Sequence, residues 1–142
     1  MNDTALNDTA LNDTALNDMA LNDMALNDTV AAQWAKGLAG DWAILAQLSS
    51  PTMRVWHSHD DMWLTREESI ARMAAAAADA PAPPPSFEQV RTLATATGFV
   101  VQATVQGLGG QPGPTHIVQI CTVVDGLIAA CEEYIAPETS LG

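Results

Sequence analysis

The chain has 142 residues, 17 acidic against five basic, a formal net charge of −12 and 48% apolar residues. That length fits one domain, and no apolar run approaches the roughly 18 residues of a membrane span. The five bases, Lys36, Arg54, Arg66, Arg72 and Arg91, are scattered; neutralising phosphates needs clustered cations, so nucleic-acid binding is disfavoured.

Residues 2–26 are five tandem pentads, NDTAL three times and then NDMAL twice. A five-residue period suits neither regular structure. On a helix each unit advances about 500°, so Leu6, Leu11, Leu16, Leu21 and Leu26 spiral around every side. On a strand an odd period changes face at each repeat. Residues 1–26 are therefore expected to be a frayed or disordered acidic segment, and 27–142 the folded domain. No basic segment leads into an apolar signal-type core, which makes the cytoplasm the expected location.

The first helix is expected to start at Asn27 or Asp28, either of which can cap it. Leu26, Val30, Trp34 and Leu38 recur at four-residue spacing and mark its buried face. Gly37 and Gly40 break the chain, and Asp41 caps a shorter helix that stops by Pro51. A strand is predicted near Met53–Ser58, followed by a loop, HDDMW. Thr65 and Glu68 form a capping box that opens a third helix, which ends before Pro81. Beyond the extended PAPPP connector the chain reads as β: strands near 87–94, 99–106, 116–124 and 127–135, with GLGGQPGP as a loop. Helices first and a largely antiparallel sheet last is the α+β pattern.

Asp125-Gly126 is a strong two-residue hairpin turn. Counting outward from it, Val124 opposes Leu127, Ile120 opposes Cys131, Val118 opposes Glu133 and His116 opposes Ile135. One face then carries His116, Cys131 and Glu133, with His116 the diagonal neighbour of Glu133; the other carries Gln119, Cys121 and Tyr134. On this register the two cysteines point to opposite faces, are reduced packing residues and form no disulfide.

Several stretches match a known pattern: the helical start ending in GDW, the strand-loop RVWHSHDDMW, the helix TREESIARM, the strand opening GFVVQ, and the closing VVDGLIAACEEYIAP. In their order and spacing over about residues 28–137, they resemble the SnoaL-like branch of the nuclear-transport-factor-2-like superfamily. That superfamily includes ketosteroid isomerase, scytalone dehydratase and limonene epoxide hydrolase. The resemblance implies a cone: a curved antiparallel sheet wrapped around N-terminal helices, an internal apolar pocket and a homodimer formed through the sheet. Superfamily members include enzymes and non-enzymes, so fold alone leaves chemistry open.

The segment VWHSHDDMW concentrates two histidines, two tryptophans and an aspartate pair in nine residues. Ionisable groups beside rings that exclude water suggest a pocket. His57 and His59 share a strand face with Val55. Three readings compete: His57 as a hydrogen-bonded wall residue, His57 as a proton-transfer group oriented by Asp60 or Asp61, or a metal chelated by the H-x-H pair. The resemblance implies no metal and no cofactor. The expected function is binding of a small apolar or polyketide-like molecule. If the protein is an enzyme, the reaction is isomerisation, cyclisation, dehydration or hydration, with His57 and Glu133 as acid and base and Asp61 in support. Trp56, His59, Trp63 and His116 are the expected ligand contacts. The rival reading is a non-catalytic binding, accessory or dimerisation module.

Overall fold

A computed structural model describes residues 23–79, 86–108 and 113–137. The repeat before residue 23 and the proline connector lie outside the described residues. No described helix is long and apolar enough to cross a membrane.

Helix α1 covers 23–38. It is already helical through the end of the repeat, so neither Asn27 nor Asp28 caps it. Asn27 sits inside the helix at 4% exposure, and its Nδ2 donates to the Thr95 carbonyl at 2.9 Å. The buried face is Asn27, Val30, Ala31, Trp34 and Leu38; Leu26 is exposed. A polar residue with a fixed backbone partner has taken the place expected for the leucine, because burial follows hydrogen-bond satisfaction as well as hydropathy.

Gly40, at φ +126°, ends the turn after α1. Asp41 then caps α2 (Trp42–Leu48), accepting from the Ile44 N–H at 3.3 Å. The chain turns into β1 (Ser49–His57), longer than predicted. Residues 58–61 form a tight turn with Asp61 at φ +54°. That turn leads directly into β2 (Met62–Thr65), a strand where a loop was expected. Trp56 pairs with Trp63 and Val55 with Leu64 across this short hairpin. The capping box forms as read: the Glu68 N–H donates to Thr65 Oγ1 at 3.2 Å and the Thr65 N–H to Glu68 Oε2 at 3.3 Å, opening α3 (Arg66–Asp79). Strands β3 (Ser86–Ala94), β4 (Gly98–Gln106), β5 (Pro114–Val124) and β6 (Leu127–Pro137) complete the described chain.

The six strands form one sheet in the order β2-β1-β6-β5-β4-β3. All neighbours are antiparallel except β1 and β6, which run parallel, so the sheet is mixed rather than antiparallel. These two strands are joined by the whole intervening chain and not by a hairpin, which leaves their direction free of turn constraints.

The Asp125-Gly126 turn is present, both residues having positive φ (+51° and +77°), and Val124 opposes Leu127 as predicted. One step outward the register shifts. Val123 opposes Ile128 but Thr122 opposes Ala130, leaving Ala129 as an extra residue on β6. A bulge of this kind bends the strand, and every later pair moves by one. Gln119 therefore opposes Glu133, Cys121 opposes Cys131, and His116 opposes Ala136. Gln119 and Cys121 join Glu133 on the concave face; His116 leaves it for the convex one. A second irregularity, with Gln89 at φ +51°, interrupts β3.

The core lies between the concave face and the helices. Trp34, Leu38, Leu45 and Leu48 from α1 and α2 pack on Met53, Val55, Phe99, Val101, Ile128 and Cys131. Burying such side chains gains about 1.5–3 kcal/mol each. Where β4 begins, Gly98 lies directly against β5: a Cβ there would overlap the Cys121 carbonyl oxygen. Gly98→Ala should therefore destabilise the fold by about 1–3 kcal/mol, measured as a drop in urea midpoint at constant slope.

Candidate functional site

Between the concave face and α3 lies a cleft of about 470 Å³. Trp42, Met53, Ile70, Met73, Phe87 and Ile135 supply much of its apolar lining. Polar groups converge on it from the sheet: His57 at the end of β1, Gln119 on β5 and Glu133 on β6, with His59, Ser69, Arg72 and Thr115 around them.

His57 and Glu133 are partners in the parallel β1–β6 ladder, which puts their side chains on one face. The end of β1 is fixed on β6 by two further bonds. The Ser58 N–H donates to the Glu133 carbonyl at 2.9 Å, and the Ile135 N–H donates to Ser58 Oγ at 3.0 Å. The His57 Nε2 lies 3.7 Å from Glu133 Oε1, and both side chains are largely buried, at 12% and 15% exposure.

Glu133 is the third member of a hydrogen-bonded chain that begins in α1. The Trp34 indole Nε1 donates to Gln119 Oε1 at 2.9 Å, and Gln119 Nε2 donates to Glu133 Oε2 at 2.7 Å. An indole N–H is a donor without acceptor capacity. It therefore fixes which end of the Gln119 amide faces it, and the NH₂ end must face the carboxylate. Oε2 of Glu133 is held this way, while Oε1 faces His57. The His57 Nδ1 is buried and has no hydrogen-bond partner among the described residues.

Of the residues singled out from sequence, His57, His59 and Glu133 line the cleft together. His59 stacks on His57 with ring centroids 5.3 Å apart, and its Nε2 is 3.5 Å from Asp60 Oδ2. The others do not line it. Trp56 and Trp63 lie on the convex face, where Trp56 meets Tyr134 edge-on at 5.3 Å and the Arg54 guanidinium stands 5.2 Å from the Trp63 ring centre. Asp61 accepts the Trp56 indole N–H at 2.8 Å, so it braces the turn instead of orienting His57. His116, on the convex side of the bulged strand, has Thr104 Oγ1 3.4 Å from its Nδ1. Alternation along β1 explains the tryptophans, because Trp56 and His57 must face opposite ways.

Gln119 went unrecognised because the unshifted register put it on the outer face. The same shift corrects the reading of the cysteines. Cys121 and Cys131 are directly opposed, both thiols are buried and free, and the Cys121 sulfur donates to that of Cys131 at 3.4 Å. The hydrogen bond with Cys121, followed by burial, pushes the Cys131 thiol well above its usual value. It is therefore a protonated wall of the cleft and a poor nucleophile.

No family model and no curated protein matches the sequence. Solved structures do match in fold. A protein from Kribbella flavida DSM 17836, provisionally named a ketosteroid isomerase, superimposes with a TM-score of 0.66 at 20% identity, over 83% of this chain and 82% of its own. A protein from Jannaschia sp. CCS1, provisionally named a SnoaL-like polyketide cyclase, gives 0.61 at 19% identity, over 78% and 85%. A nuclear-transport-factor-2-like protein from Anabaena variabilis ATCC 29413 gives 0.61 at 13% identity, over 82% and 91%. The chain has the SnoaL-like, nuclear-transport-factor-2-like fold.

The Trp34–Gln119–Glu133 chain yields a stability prediction. Gln119→Leu strands the buried indole donor and removes a donor from the carboxylate, and should cost about 1–3 kcal/mol per group left unsatisfied. Trp34→Phe leaves the Gln119 carbonyl without its donor and a gap where the indole packed, and should also cost at least about 1–3 kcal/mol in the same denaturant titration.

Proposed function

We propose that the cleft binds a small, mainly apolar organic molecule and that the His57–Glu133 pair moves a proton on it. The observation that carries this reading is a carboxylate, oriented by Gln119, beside an imidazole in a mainly apolar cleft. A volume near 470 Å³ falls in the range of small-molecule sites. Apolar walls supply affinity without directing chemistry. The few polar groups at one end fix which atom of the ligand meets them.

The chemistry suited to this arrangement is proton transfer without a covalent intermediate. A carboxylate can take a proton from a carbon or hydroxyl of the ligand, and an imidazole can deliver one nearby. Isomerisation, cyclisation, dehydration and hydration all reduce to such a pair of transfers. The names borne by the Kribbella and Jannaschia proteins belong to the same reaction classes. Arg72 and Thr115 can meet a ligand oxygen from the wall.

Assembly as a homodimer is part of this reading. Trp63, Leu93, Ile120 and Tyr134 are 42–68% exposed, and alternation puts them on the convex face, away from the cleft. Exposed apolar side chains on one face support an interaction site there. A second copy covering it would leave the cleft open. This surface also supports the rival reading, a dimerisation or binding module without catalysis.

The first test uses the purified protein and an environment-sensitive anilinonaphthalene sulfonate dye. The dye should bind wild type saturably, and Ile70→Trp, which fills the cleft, should abolish binding while the protein stays folded. Binding that is unchanged in Ile70→Trp would place it elsewhere. Once mass spectrometry of the purified protein identifies a copurifying molecule that is turned over, Glu133→Gln and His57→Ala should each lower kcat by about 10²–10⁴-fold while affinity changes much less. Unchanged kcat in both variants would remove the proton-transfer roles.

A further inference from the structure

The last residue of β1 and the turn after it place three metal-ligating side chains together. His57, His59 and Asp60 each offer one ligand atom, and these atoms lie within 4.8 Å of one another. We propose that they form a binding site for one divalent transition-metal ion of the zinc type at the mouth of the cleft.

The donor set selects the ion. Two imidazole nitrogens and a carboxylate oxygen suit zinc and its neighbours, whereas calcium and magnesium take oxygen. Zinc bonds of about 2.0–2.2 Å put tetrahedral ligand atoms roughly 3.3 Å apart, so the cluster must contract by up to about 1.5 Å. His59 must also turn out of its stack on His57, and it has the freedom to do so, since its side chain is half exposed and stands on a turn.

His57 supplies an independent indication. A buried imidazole nitrogen without a partner is unusual, and its Nδ1 is such a nitrogen. Its other nitrogen, Nε2, faces Glu133 at 3.7 Å. Metal-bound histidines commonly direct the second ring nitrogen at a carboxylate, which sets the tautomer. Glu133, itself held by Gln119, stands in that place and leaves Nδ1 as the nitrogen with a free lone pair.

Asp60 is arranged to match. Its Oδ1 accepts the Met62 N–H at 3.1 Å, while Oδ2 faces His59 Nε2 at 3.5 Å and Arg72 Nη1 at 3.8 Å. Two carboxylates and one guanidinium leave the cluster net negative with neutral histidines, and a dication offsets that charge. Three protein ligands also leave a coordination position open. Because His57 and His59 both line the cleft, a bound molecule can reach it. Metal uptake is read from the protein alone, so its outcome is separate from that of the organic-ligand reading.

The experiment is calorimetric titration of the full-length, chelator-treated protein with Zn²⁺, with Co²⁺ as the spectroscopic probe. Wild type should take up one Zn²⁺ per chain, gain melting temperature and give visible Co²⁺ bands of low coordination number. His59→Ala and Asp60→Asn should each weaken uptake at least about tenfold while the metal-free proteins still unfold in a single cooperative transition; the asparagine keeps the turn's acceptor for Met62. His116→Ala, on the convex face, should bind as wild type does. Absence of uptake, or uptake that survives intact in both His59→Ala and Asp60→Asn, would overturn the proposal.

Discussion

A buried side-chain amide between a donor and an acceptor has one productive orientation, and much of this molecule is arranged around one such amide. Trp34 reaches down from α1 with a nitrogen that can only donate, so Gln119 must present its carbonyl to the helix and its NH₂ to Glu133. The amide that receives the indole of α1 is therefore also the amide that orients the carboxylate. Helix packing and site geometry are coupled through three residues far apart in sequence.

That coupling accounts for polar groups surviving in an apolar cleft. An unpaired buried amide or carboxylate costs several times what a typical hydrogen bond gains, so the chain is stable as a unit and poor in pieces. His57 is the end at which satisfaction stops: Nε2 faces the carboxylate and Nδ1 faces no described partner. An unsatisfied group at the end of a satisfied network is where a ligand, a proton or an ion gains most. Both the proton-transfer reading and the metal reading begin from that nitrogen, and they differ in what it meets.

Signals local in sequence were legible. The Asp41 cap, the Thr65/Glu68 capping box and the Asp125-Gly126 turn lie where the residues place them, because each depends on a few neighbouring atoms. His57 and Glu133 were found by different routes, one from an aromatic-rich strand and one from an acid on an apolar strand face, and they meet in the cleft. The exchange of faces on β5 depended on a single extra residue. Ala129 carries no mark of a bulge, yet it moves Gln119 and Cys121 to the concave face and His116 off it. A period-two pattern turns one such insertion into an exchange of faces for everything beyond it. The parallel β1–β6 pairing was equally hidden, since no local turn encodes it. The continuation of α1 through 23–26 shows a third limit: a five-residue repeat that offers no helical face of its own is helical where α1 carries it on.

The central claim is that a ligand in the cleft meets the His57 end of the Trp34–Gln119–Glu133 chain. The most direct measurement is a long-range ¹H–¹⁵N spectrum of the imidazole nitrogens, recorded while the cleft-binding dye or the copurifying molecule is titrated in. The account predicts that the His57 resonances move and saturate with the ligand, those of the stacked His59 with them, while His116 on the convex face stays in place. Movement of His116 with His57 unchanged would contradict it.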